Sequence, residues 1–507
     1  MSQRLAEKEA LSSLESLAPE LIDLILCEVT SISDLANFIL SSRTIYTRFE
    51  LRKQIILLRV LQNELGPVFV DARFLYRFPC AKIVDENGRR DKYCAYLETM
   101  GNVYHNLVTR HARGDDEPLD MDELNQLCRM QHSVSKFAEK YLWFMLDQLF
   151  GRQVSEEDQR KHTVSDKEAA TFQDAFSIIT APASRSERLR IIRAIYRRQI
   201  ICHAWAPFER RKLDVWTFQE VAALAEPVLG SQIPNPRQSG FETSSRKGKS
   251  LLAQFEPWEM EQVVHIDNFI TELCITLTEV AELEEAARTG AVIQPMLQRI
   301  RKPKQQPQYE ARLAAFADIF LNITNLVHYM DTHQDIMDVA ISALLGQELP
   351  NWPLLGMRKS RIRDMYATEL ELRPLFASFQ VDRMILDPAR DRLERERSPL
   401  EFVGDDGDNS LKHPPFGWID ALDGRYLNWW GNAFDMVLWS PRPPDRLEEY
   451  DLAEQESHIK NVELFVNYGF VFWDQPRVEA LKRLEKCKDL QRGWMNKLEY
   501  GATIYHH

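Results

Sequence analysis

Leu14-Glu-Ser-Leu-Ala-Pro-Glu-Leu-Ile-Asp-Leu-Ile-Leu26, then Ser31-Ile-Ser-Asp-Leu35 and Leu40-Ser-Ser-Arg-Thr-Ile-Tyr46, is the stretch whose punctuation sets the fold class. Pro19 suits the first turn of a helix, where a missing N–H costs nothing, and Glu20 complements the positive end of the helix dipole. Leu21, Leu24, Ile25 and Val29 follow at helical spacing, with Ile22 and Leu26 widening the stripe and Asp23 and Glu28 off it. Ser31-Ile-Ser-Asp34 matches the Ser-x-x-acid capping pattern, so a second helix is expected there, with Leu35, Phe38 and Ile39 as its apolar residues. Ser41-Ser42 interrupts it. Thr44 is expected to cap a third helix that reaches Leu65, where Gly66-Pro67 stops it.

Outward from this block the helical period persists. Tyr96, Met100, Val103, Tyr104, Leu107 and Val108 form one stripe, and 119–149, 166–180 and 186–205 read as further helices. Breaks are expected at 230–250, 301–308 and roughly 387–417, where Pro, Gly, Ser and charge accumulate. No strand-like alternation is sustained, so the expected fold is all-α. No leucine-rich, tryptophan-aspartate or kelch period is present.

Composition narrows the function classes. A net charge of −13 argues against general nucleic-acid binding, which needs a positive face to neutralise phosphates. The seven cysteines (27, 80, 94, 128, 202, 274 and 487) show no C-x-x-C and read as free thiols of a reducing compartment. The N-terminus lacks an apolar signal region, and no apolar run approaches a membrane-spanning length, so a cytoplasmic or nuclear location is expected.

Chemical motifs are tested and set aside. Thr243–Ser250 nearly completes a phosphate-binding loop, but Thr243 stands where the leading glycine belongs. Asp405, Asp406 and Asp408 do not fit a twelve-residue calcium loop. His328 and His333 read as helix surface, and the adjacency of Cys202 and His203 is no evidence of a catalytic pair. No Gly-x-Ser-x-Gly elbow and no paired metal spacing occurs. The expectation is a protein with no catalytic residues, no cofactor and no metal. Arg185, Arg188, Arg190, Arg193, Arg197 and Arg198 crowd one segment whose only acid is Glu187. That segment could hold an acidic or phosphorylated partner, but a solvated face paired with acids elsewhere is the favoured reading. Six of the eleven tryptophans fall between 418 and 494, and Trp429 with Trp430 are the candidates for a partner groove.

Leu17-Ala18-Pro19-Glu20-Leu21, Ile25-Leu26, Val29, Asp34-Leu35 and the 43–45 segment resemble the F-box. Ala18 and Ile45 stand where that pattern usually has proline and tryptophan. The chain as a whole resembles filamentous-fungal F-box-like proteins, and Tyr468-Gly-Phe-Val-Phe-Trp-Asp474 is similar to a closing phrase in that group. With the breaks along the chain, this suggests a three-helix F-box-like domain (1–66), a helical middle region (67–300) and a helical, Trp-rich C-terminal region (301–507). The resemblance itself implies a function. It implies docking on the Skp-type adaptor of a cullin ubiquitin ligase (the SCF class) through Leu17, Pro19, Glu20, Leu21, Ile25, Leu35 and Ile45, while the remainder captures an unknown protein substrate. From the charge and the apolar runs, no nucleic acid and no membrane are expected among the partners. The alternative is a helical interaction protein whose F-box-like head is only structural.

Overall fold

A computed structural model of the chain describes residues 14–78, 91–114, 118–150, 174–205 without 176, scattered positions from 251 to 277, 322–334, 404, 411–417 and 470–485. Every regular element among these is α-helix or 3₁₀ turn, with no strand. The fold is all-α. The breaks expected at 230–250 and 301–308, and most of 387–417, lie outside the described residues.

Three helices build the head: α1 (Pro19–Cys27), α2 (Ile32–Ser41) and α3 (Arg43–Leu65). Pro19 opens α1 as its first residue. Ser31 caps α2 by accepting the Asp34 N–H at 3.0 Å. The cap of α3 is Ser42 rather than Thr44: its hydroxyl accepts the N–H groups of Thr44 (3.1 Å) and Ile45 (3.4 Å). Ser42 has the extended backbone an N-cap needs, whereas Thr44 is already inside the helix. Gly66 ends α3 at φ 49°, a backbone that residues with a Cβ rarely adopt.

The apolar stripe of α1 faces differently from the expectation. Ile22 and Leu26, one helical turn apart, enter the core beside Leu35 of α2 and Ile45, Phe49, Ile56 and Val60 of α3. Leu21, Leu24 and Ile25 face outward. The orientation is fixed by polar ties: Arg48 forks onto Asp23 at 3.2 and 2.6 Å, and Asn63 donates to the Cys27 and Val29 carbonyls that end α1.

A 3₁₀ turn (Gly66–Val68) leads into α4 (Phe69–Arg77), then α5 (Asp91–Arg113), α6 (Met121–Phe150), α7 (Arg185–Trp205), α8 (Ile323–Thr332) and α9 (Gln475–Glu485). In the α5 stripe Tyr104 and Leu107 are buried, whereas Val108 is exposed. One cluster of buried side chains runs from Ile22 through to Leu481.

α7 is the axle of the body. Every residue from Leu189 to Cys202 is buried, arginines included. The favoured reading of a solvated arginine face is corrected for Arg190, Arg193, Arg197 and Arg198, which pair with acids but are buried; Arg185 is exposed and Arg188 partly so. Arg190 donates to Asp474 (2.6 Å) and to the Phe472 carbonyl (3.0 Å). Arg193 meets Glu259 (2.8 Å) and the Leu411 carbonyl (2.7 Å). Arg197 meets Asp71 at 3.0 Å and also Glu259, with its guanidinium over the Phe255 ring at 4.6 Å. Arg198 meets Asp267 at 2.8 Å. A buried charge without such a partner would cost several kcal/mol, so these contacts fix which segments must surround α7.

Residues 470–474 of the closing phrase seat at the start of α7, and the rest of it lies outside the described residues. Ser184 and Glu187 exchange backbone bonds as a capping box (3.0 and 3.1 Å), and Arg477 forks onto Glu187 at 2.9 and 3.0 Å. Asp474 accepts the hydroxyls of Ser184 and Ser186, and Trp473 is fully buried beneath Arg477.

Candidate docking site

α1 carries an outward-facing apolar row. Leu21 is 46 % exposed, Leu24 59 % and Ile25 36 %, with Pro19 and Glu20 also exposed at the helix start. Apolar side chains at three- and four-residue spacing make a continuous strip along one helix face. Such a strip is what a partner's apolar surface can bury, and it gains nothing from water.

The seven residues carried over from the F-box pattern divide by depth. Pro19, Glu20, Leu21 and Ile25 lie on the outer row, and Leu17 is half-buried against the core. Leu35 (2 % exposed) and Ile45 (0 %) are inside, where they pack α2 against α3. Trp429 and Trp430 lie outside the described residues.

Several exposed apolar residues stand outside the expected set: Leu24 on α1, Leu40 at the end of α2, and Tyr46, Leu51 and Ile55 on α3. The available signal was an excess. α1 and the first half of α3 carry more apolar residues than one core-facing stripe can use.

The back of the head is joined to the body by buried polar groups. Glu64 accepts the Ile32 N–H at 2.8 Å with one oxygen, and with the other accepts Gln131 (2.7 Å) and Ser135 (2.8 Å) of α6. Gln131 in turn accepts the Tyr196 hydroxyl of α7 at 2.8 Å. Burial and the nearby Glu64 charge push the Cys128 thiol up to about 12. The described cysteines 27, 128, 202 and 274 are all free thiols.

The remaining candidates resolve plainly. His328 and His333 are exposed on and just after α8. Cys202 is buried, and His203 points its Nδ1 at the Phe78 carbonyl, 2.9 Å away. Asp405, Asp406, Asp408 and 243–250 lie outside the described residues. No helix among the described residues is long and apolar enough to cross a membrane. Compared with protein-family models, with curated proteins and with solved structures, the chain gives no match.

Proposed function

We propose that this chain is a substrate-recruiting adaptor of an SCF-type ubiquitin ligase, with the head docking a Skp-type adaptor and the helical body holding the target. The observation that carries this reading is the outward row Leu21, Leu24 and Ile25, following exposed Pro19 and Glu20, on a head whose own core is already filled by Ile22, Leu26, Leu35 and Ile45. A helix that served only to cap the body would gain from a polar outer face. The body has no role in catalysis on this reading; its buried arginine pairs set its shape.

A second reading has its own support. Leu35 and Ile45 are core residues, and Glu64 ties the head to α6, which suits a head that is purely structural. Affinity capture separates the two. Full-length chain should recover a Skp-type adaptor, and Pro19→Ala with Leu21→Asp should abolish recovery. Equal recovery by both, or by neither, removes the docking reading.

A further inference from the structure

α3 carries an outer ridge that the F-box-like pattern does not single out. Leu51 (67 % exposed) and Ile55 (51 % exposed) are four residues apart and stand on one helix face. Arg52 and Arg59, both exposed, share the face at spacings of three and four from Ile55. The helix bends between the two apolar residues, because Arg52 leaves the helical region (φ −126°, ψ 18°). Glu50, the one exposed acid on α3, is drawn to Lys53 at 3.3 Å. The ridge is therefore apolar and basic on a chain of net charge −13. Arg52 also reaches Asp23 of α1 at 3.8 Å, beside the Arg48 fork on the same carboxylate. One ion cluster thus joins α3 at the ridge to the helix that bears the outer row.

We infer that the Leu51–Ile55 ridge, with Arg52 and Arg59, is a second part of the docking face and meets an acidic, apolar surface of the same Skp-type adaptor. This rests on the proposed adaptor function. Apolar contact from two adjoining helices supplies the buried area, and the arginines select carboxylates and steer the encounter. A neutral or basic apolar partner would cover Arg59 without offering it a carboxylate and would leave Arg52 only its 3.8 Å contact to Asp23.

The test measures binding of full-length chain to a purified Skp-type adaptor at low and moderate salt, about 50 and 300 mM. Leu51→Ser with Ile55→Ser should weaken binding at least tenfold. Arg52→Glu with Arg59→Glu should weaken it similarly at low salt and flatten its salt dependence. All four side chains are exposed, so the serine variant should melt as the unmutated protein does; Arg52→Glu also loses the contact to Asp23, so Arg59→Glu alone, which keeps it, is titrated as a third variant. If Leu21→Asp with Leu24→Asp abolishes binding while the ridge variants bind normally, the ridge is overturned and the adaptor reading stands. A retained salt dependence in the arginine variants overturns the acidic partner surface. If the unmutated chain does not bind, both fall.

Discussion

The Glu64 carboxylate accepts the backbone N–H of Ile32 at 2.8 Å, across 32 residues of sequence. It supplies an acceptor at the first turn of α2, where backbone donors have no partner within the helix. Its other oxygen serves Gln131 and Ser135, so one side chain orders the head and fastens it to the body. Removing it strands three donors in a buried setting. Glu64→Ala should cost about 2–4 kcal/mol in urea unfolding. Ser42→Ala, which deletes the cap of α3 and an exposed bond to Glu15, should cost about 1 kcal/mol. Equal losses would mean that Glu64 acts as a cap alone.

Depth should grade the ion pairs of the body. Arg197 lies between Asp71 and Glu259 with all three buried. Burial disfavours its charge, yet the two carboxylates outweigh that cost and hold its pKa well above the ordinary value. Asp71→Ala should destabilise by about 3–5 kcal/mol, since it takes one of two carboxylates from a buried cation and also removes the acceptor of the Tyr104 hydroxyl. Arg188 meets Glu139 at 3.3 Å on the surface, and Arg188→Ala should cost below about 1 kcal/mol. Chemical denaturation of the two variants checks the contrast.

Mild acid should weaken the fold through its buried imidazoles. Burial lowers the pKa of His265, which lies edge-on to Phe472, to about 4. His203 is lowered in the same direction, by burial opposed by its bond to the Phe78 carbonyl. The unfolded histidine titrates near 6.5, so between there and about 4 the unfolded chain binds more protons and stability falls as pH falls. The full His265 contribution is of the order of 3 kcal/mol. His265→Phe should lose less stability than the unmutated protein between pH 7 and 5. Parallel losses in thermal melts would remove His265 as a cause.

The head was legible because its signals are local. Pro19 at the first turn, Ser31 three residues before Asp34, and Gly66-Pro67 past Leu65 each act within one helical turn. What sequence spacing could not decide was which side of α1 faces inward. That choice is made by Asp23 meeting Arg48, 25 residues away, and by Asn63 on the α1 carbonyls.

The arginine helix was misread for the same reason at longer range. Asp71, Asp267 and Asp474 lie 126, 69 and 284 residues from the arginines they pair with. One clue was present. The six cations of 185–198 are all arginine, with no lysine, and arginine's fork suits buried pairs and carbonyls. The Ser184–Glu187 capping box was equally visible and marked the start of α7.

The outer row of α1 carries the proposed docking, and its exposure makes it separable from stability. Purified full-length chain, with and without Leu21→Asp and Leu24→Asp, should be titrated against a Skp-type adaptor and melted in parallel. The expected result is saturable binding by the unmutated chain and at least a hundredfold loss in the variant, about 3 kcal/mol of binding free energy, with unchanged melting. Unchanged affinity in the variant, or no binding by the unmutated chain, would contradict the docking.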